Sequence, residues 1–159
     1  MSSEKIDIKL LAECPEHIPA LAILLYEEIS RHWVTDSSVA YVEQKLHEHL
    51  QVDSMPLAYV ALWNGNPIGV ACLRQFDGIR EELCPWLGSL AVHPSHRRQQ
   101  VGKKLIDAVQ QQAKQLGYTR LYLLAFDKTI PAWYAKLGWQ GVGCDMLFDH
   151  TVTVMSLTL

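Results

Sequence analysis

No stretch of this sequence approaches the ~18 consecutive apolar residues of a membrane span, which excludes a transmembrane helix and a membrane partner. Residues Met1–Lys5 lead into a short apolar stretch, Ile6–Leu11, that Asp7 and Lys9 interrupt. It is too short and too polar for a signal segment, so a cytoplasmic location is expected. Cysteine is sparse and scattered: Cys14, Cys72, Cys84 and Cys144 form no CxxC pair, which points to reduced thiols rather than a disulfide framework. A basic excess is also missing. Lys plus Arg is 14 against 17 for Asp plus Glu, a net charge of −3, which argues against a nucleic-acid partner. There are no repeats, low-complexity tracts or linkers, so residues 1–159 read as one domain. No GxxxxGK[ST] loop and no GxSxG elbow around Ser89 are present, which disfavours P-loop and serine-hydrolase chemistry. His47/His49 and His93/His96 have no HExxH or cysteine companions, so no metal site is expected.

What is present is a regular alternation of patterns. Ile6–Leu10 alternates as a strand. Ile18, Leu21, Leu25 and Ile29 make one apolar helix face starting near Ile18, because Pro19 belongs in a first turn. Ser37 or Ser38 can cap a second helix with Val39, Val42, Leu46 and Leu50 on its stripe. Leu57–Trp63 and Ile68–Leu73 flank Asn64-Gly65, a strong hairpin signal. Trp86–Val92 is a further strand, where Gly88 suggests a bulge or a close backbone approach. Val101, Leu105, Val109, Ala113 and Leu116 define a long amphipathic helix that Gly117 ends. Leu121–Phe126 reads as a buried strand, Pro131–Leu137 as a short helix stopped by Gly138, and Val152–Leu157 as the last strand. The order β-α-α-β-β-β-α-β-α-β-β predicts an α/β (α+β) fold, with a mixed sheet and helices on both faces.

The chemistry concentrates where the Trp86–Val92 strand meets the long helix. His93-Pro94-Ser95-His96-Arg97-Arg98-Gln99-Gln100-Val101-Gly102-Lys103-Lys104 is a basic loop running into a helix start. The first helical N–H groups have no internal partners, and the helix dipole adds positive charge there. Such a start accepts a phosphate or pyrophosphate, and Gly102 lets a ligand approach the backbone. The same pattern also suits a solvated loop before an ordinary surface helix.

The stretch 87–105 resembles motif A of the GNAT superfamily of N-acetyltransferases: an apolar strand, V-x-P, then Arg-x-x-Gly-x-Gly/Ala. Arg97, Gln100 and Gly102 stand at the signature positions, with Gln100 replacing the first glycine. Ile130-Pro131-Ala132-Trp133-Tyr134-Ala135-Lys136-Leu137-Gly138-Trp139 resembles motif B, and Glu82-Leu83-Cys84-Pro85-Trp86-Leu87 resembles the lead-in of one bacterial subgroup. The resemblance implies a GNAT-like, mostly antiparallel sheet in which two strands splay apart around acetyl-CoA. The backbone of Leu90, Ala91 and Val92 would hold the pantetheine arm. Arg97, Arg98, Gln99, Gln100, Val101, Gly102 and Lys103 would hold the pyrophosphate.

The implied reaction moves an acetyl group from acetyl-CoA to a primary amine, of a small molecule or a peptide, by direct transfer in a ternary complex. An alkyl ammonium has a pKa near ~10, so a carboxylate must take its proton. Glu82 is the expected base and Asp77 a weaker candidate, although Glu82 also fits a solvated loop charge. Tyr134 is the expected acid for the departing thiolate, against the alternative of a core tyrosine. Strand amides near Leu90–Val92 could stabilise the oxyanion. Trp33, Trp63 and Trp86 are either packing residues or an aromatic wall for the acceptor. Homodimers are frequent in the family. A non-catalytic acyl-CoA-binding domain, and an enzyme using longer acyl groups, remain open as alternatives.

Overall fold

The computed structural model of the chain describes residues 5–159. Residues 1–4, which open the segment read above as unfit for a signal sequence, lie outside the described residues. Seven strands build one sheet: β1 (Ile6–Leu10), β2 (Leu57–Trp63), β3 (Asn66–Arg74), β4 (Trp86–Val92), β5 (Arg120–Ala125), β6 (Gln140–Leu147) and β7 (His150–Thr158). Their order is β1-β2-β3-β4-β5-β7-β6. Every neighbouring pair is antiparallel except β4 and β5, which run parallel. The sheet is therefore mixed, as the pattern of elements implied, and mostly antiparallel, as the family resemblance implied.

The helices are α1 (Ile18–Leu25), α2 (Arg31–Trp33), α3 (Val39–His47), α4 (Val101–Gln115) and α5 (Ile130–Lys136). They cover both faces because the strands alternate. On β2, Leu57 and Ala61 face a core shared with Leu105 and Val109 of α4. Ala58, Val60 and Leu62 face the other core, shared with Leu21 of α1 and Leu46 of α3. The Asn64-Gly65 turn between β2 and β3 has φ of 50° and 85°, the left-handed pair that a tight hairpin needs. Ser38 caps α3 by accepting from the Tyr41 amide at 3.1 Å. No helix among the described residues is long and apolar enough to cross a membrane.

Two local outcomes depart from the pattern. The helix expected to continue through Ile29 passes into a π-helical turn, Tyr26–Ser30, before α2. Ile29 is only half-buried there, while it still packs against the cluster that holds Ile18, Leu21 and Leu25. Leu50 falls beyond the end of α3 and instead bridges to Leu57 at the start of β2.

A third feature shapes the site. Between the pairs Cys72↔Gly88 and Val70↔Ala91 the register of β3 and β4 slips, so Ser89 and Leu90 together oppose Ala71. This is a β-bulge, and an extra residue reverses which face the following side chains take. Leu87, Leu90 and Val92 consequently all pack on the α4 side, while Ala91 packs on the α1 side. The bulge falls on Ser89, whose φ is +51°, one residue beyond the glycine that the sequence offered.

Candidate active site

β4 and β5 touch through a single register, Trp86↔Tyr122, and the Tyr122 amide donates to the Pro85 carbonyl at 3.0 Å. Beyond that point the two strands part. Between them opens a cleft of about 800 Å³, lined by Leu87–Leu90 of β4 on one side and Leu123–Ala125 of β5 on the other. The π turn, Trp33, Trp133 and Tyr134 also border it.

The basic loop lies next to the cleft, although none of its residues is among the lining ones: Arg97 pairs with Glu28, which does line the cleft. Pro94–His96 forms one 3₁₀ turn, Arg98 and Gln100 take φ of +65° and +62°, and Gln100 is the N-cap of α4. Gln100 thus adopts the left-handed backbone for which glycine is the usual residue. No side chain caps this helix start and its first turn holds no acid, so the amides of Val101, Gly102 and Lys103 have no intrahelical acceptor. A β-carbon on Gly102 would touch Trp133 Cη2 at 3.4 Å, which sets the indole of Trp133 beside the helix start. Arg97 donates to the Glu28 carboxylate of the π turn and, through Nε, to the Val92 carbonyl at 3.4 Å.

Strand alternation decides which amides of β4 face the gap. The His93 amide donates to Ile68 across the β3 side at 2.7 Å. The amide of Ala91, two residues back, therefore turns to β3, and those of Leu90 and Val92 turn to the open edge. Of the three expected backbone contacts, Leu90 and Val92 face the open strand edge, only Leu90 being among the cleft-lining residues, and Ala91 faces its partner Val70.

Tyr134 is buried, 6% exposed, and lines the cleft. Trp133 and Trp139 meet its ring edge-on at 5.0 and 5.5 Å. Burial pushes its phenol well above the ordinary tyrosine range. Glu82, by contrast, is exposed and is not among the cleft-lining residues. The reason is the anchor next to it. The Trp86 indole is fully buried and donates to the Leu83 carbonyl at 2.8 Å, and the turn this imposes leaves Glu81 and Glu82 outside. Asp77, the weaker candidate, does line the cleft.

Asp77 belongs to a polar network that sequence reasoning missed. Arg74, at the end of β3, donates from Nη1 to Asp77 Oδ1 at 2.9 Å, from Nη2 to Ser89 Oγ at 2.7 Å and from Nε to His49 Nε2 at 2.8 Å. His49 Nδ1 stands 2.7 Å from the Lys45 carbonyl. A histidine that accepts at Nε2 and donates at Nδ1 is neutral, and burial, followed by the Arg74 charge, lowers its pKa to about 4. Burial raises the Asp77 carboxyl above the ordinary carboxylate range, against the pull of Arg74. The only advance signal was an Arg and an Asp three residues apart, just past an apolar strand.

Of the three tryptophans singled out, Trp33 alone lines the cleft. It stacks on Phe126 at 5.6 Å and 10°, with His150 edge-on at 5.1 Å. Trp86 is core and Trp63 packs beside His96. The four cysteines are unpaired thiols: Cys14 and Cys72 are buried and Cys144 is exposed. Among the described residues no group of three or more His, Cys, Asp or Glu side chains is arranged to hold a metal ion.

Comparison with known proteins gives this geometry a context. Residues 23–139 match the acetyltransferase (GNAT) family. The chain is 27% identical over 146 residues to YjgM, an uncharacterized N-acetyltransferase of Escherichia coli (strain K12), covering 86% of this chain and 87% of that protein. N-acetylglutamate synthase from Neisseria gonorrhoeae, solved with coenzyme A and N-acetyl-glutamate, shares the fold with a TM-score of 0.74 at 21% identity. The match covers 99% of this chain but only 36% of the synthase chain. An aminoglycoside 6′-N-acetyltransferase complexed with coenzyme A matches with a TM-score of 0.73 at 18% identity, covering 96% of each chain.

Proposed function

Because the chain belongs to the GNAT acetyltransferase family, we propose that it transfers an acetyl group from acetyl-CoA to a primary amine, of a small molecule or a peptide, directly within a ternary complex. The observation that carries this reading is the parting of β4 from β5 after one shared register. It leaves a strand edge open along a cleft, and the uncapped start of α4 lies beside Trp133, which lines that cleft. These features suit a long, mostly apolar ligand with a polyanionic end. Two of the structures with the same fold were solved with coenzyme A. We read residues 1–159 as a single catalytic domain, since one continuous sheet runs from β1 to β7.

In this reading acetyl-CoA supplies an activated thioester. The amides of Arg98 through Lys103 hold its pyrophosphate, and the open amides of Leu90 and Val92 hold its pantetheine arm in place of the missing strand neighbour. Arg97 ties the loop to the π turn and to the end of β4. The Tyr134 phenol, kept protonated by burial, gives its proton to the departing sulfur. Asp77, rather than Glu82, takes the proton of the amine, directly or through water. Its raised pKa moves it toward the range in which a carboxylate is an effective base. Trp33 and Phe126 form an aromatic wall for the acceptor.

Titration calorimetry with acetyl-CoA, followed by thiol release across a panel of amines, tests the reading. Binding with amine-dependent release of CoA thiol is expected. Binding with no release from any amine would favour a non-catalytic acyl-CoA-binding domain, and no binding would remove the proposal altogether.

A further inference from the structure

We infer that the Ser89 hydroxyl is a catalytic hydrogen-bond donor to the acetyl carbonyl oxygen, and that Arg74 is the positioning residue that aims it. This inference rests on the acetyl-transfer reading above and adds a side chain to the backbone donors invoked there.

The first observation is where strain is tolerated. Ser89 is the left-handed residue of the β4 bulge, at φ +51°, a conformation that costs an L-residue roughly 1–2 kcal/mol. A glycine would take it freely, yet the glycine stands one position earlier, at residue 88, where the backbone has no positive φ. Strain kept at a cleft where glycine would relieve it points to a use for the side chain.

The second observation is the direction of the hydroxyl. Ser89 Oγ accepts from Arg74 Nη2 at 2.7 Å. A guanidinium only donates, so the hydroxyl proton must point elsewhere, and Ser89 lines the cleft. Burial raises the pKa of the Cys72 thiol on β3, against the pull of Arg74 and of a hydrogen bond from Ser89. That sulfur is the hydroxyl's resting partner, and as a weak acceptor it yields the hydrogen bond to a carbonyl oxygen gathering negative charge.

The third observation is rigidity. Arg74 is fixed on three sides by His49, Asp77 and Ser89, so the donor is set before any ligand arrives, the arrangement in which such donors are most effective. Ser89 also sits beside Leu90, whose amide faces the same gap.

The chemistry balances without a further reactant. The amine nitrogen bonds to the acetyl carbon, and negative charge gathers on the carbonyl oxygen, where Ser89 donates its hydrogen bond and keeps its proton. The carbon–sulfur bond then breaks, the amine proton leaves to the base and the sulfur receives one from the acid. The products are an amide and a free thiol.

Ser89→Gly is the informative variant, because it removes the hydroxyl and relieves the strain together. With an amine that the wild type acetylates, kcat should fall at least about tenfold, toward the ~100-fold typical of a lost oxyanion donor. The Kd for acetyl-CoA should stay within threefold, and the melting temperature should hold or rise. Arg74→Lys should lower kcat too, and adding Ser89→Gly to it should cost little more, since a residue acting through another is non-additive with it. A Ser89→Gly kcat within twofold of wild type, a loss confined to acceptor KM, or full additivity with Arg74→Lys overturns the inference while leaving the transferase reading intact. A wild type that releases no thiol with any amine overturns both.

Discussion

Gly88 stands where the Arg74 guanidinium crosses the sheet. A β-carbon on residue 88 would lie 2.7 Å from Arg74 Nη1 and 3.2 Å from Asp77 Oδ1. The glycine is thus required by an ion pair across the strand and not by backbone conformation. Gly88→Ala should push the end of the Arg74 side chain away, lower stability by about 1–3 kcal/mol as overpacking does, and reduce turnover. Urea denaturation and initial rates measure the two effects. An alanine variant as stable and as fast as wild type would show that the network yields without consequence.

The same network predicts a pH response. His49 is neutral when folded, with its pKa lowered from 6.5 to about 4. Its contribution is therefore complete above 6.5 and is lost as the pH falls through about 4, a change of about 3 kcal/mol. Asp77, whose pKa is raised, contributes with the opposite sign, so the useful quantity is a difference. Wild type should lose stability relative to His49→Gln as the pH is lowered across that window. Parallel stability curves for the two proteins would remove His49 from the account.

The identity of the base separates two carboxylates. Asp77→Asn should lower kcat and shift the acidic limb of the pH–rate profile, because Asp77 faces the cleft. Glu82→Gln should leave both within twofold of wild type, because Glu82 is exposed away from it. The reverse pattern would restore Glu82. A melting curve of Asp77→Asn accompanies the kinetics, since that variant leaves Arg74 without its counter-charge.

For the acid, Tyr134→Phe keeps the ring that packs between Trp133 and Trp139 and removes only the phenol oxygen. A fall in kcat of about tenfold or more is expected, with acetyl-CoA affinity unchanged by calorimetry. An unaltered kcat would mean that another group protonates the sulfur.

Gln100 offers a test of backbone conformation. At φ +62°, Gln100→Gly removes the left-handed penalty but frees the unfolded chain, for a net change of about 0 to +1 kcal/mol in stability. Acetyl-CoA affinity should hold within threefold if the amide, and not the side chain, meets the phosphate.

Much of this architecture is readable from local pattern. The bounds of β2 and β4, the Asn64-Gly65 turn and the stops at Gly117 and Gly138 all follow from periodicity and turn chemistry. The open helix start follows from the basic loop that precedes Val101. Long-range juxtaposition was not readable. His49, the Arg74–Asp77 pair and Ser89 come from three separate segments, and nothing in the spacing between those segments shows that the fold brings them together. Gly88 was read as marking a bulge or a close approach; register places the bulge on the next residue, Ser89, and the close approach, of the Arg74 side chain, is at Gly88 itself. Glu82 was favoured because it matches the acidic position of the lead-in that the resemblance supplied, whereas the structure leaves it exposed and outside the cleft lining.

The lone rung joining Trp86 to Tyr122 makes the sheet behave as two leaves on a short spine, one formed by β1–β4 and the other by β5, β7 and β6. A molecule lodged between them supplies the rungs that the polypeptide omits, so occupancy doubles as mortar. Loading the crevice should slow hydrogen exchange at the amides of Leu90 and Val92 and raise the melting temperature in proportion to the logarithm of concentration. Far along the spine, the rim of β6 should register little change.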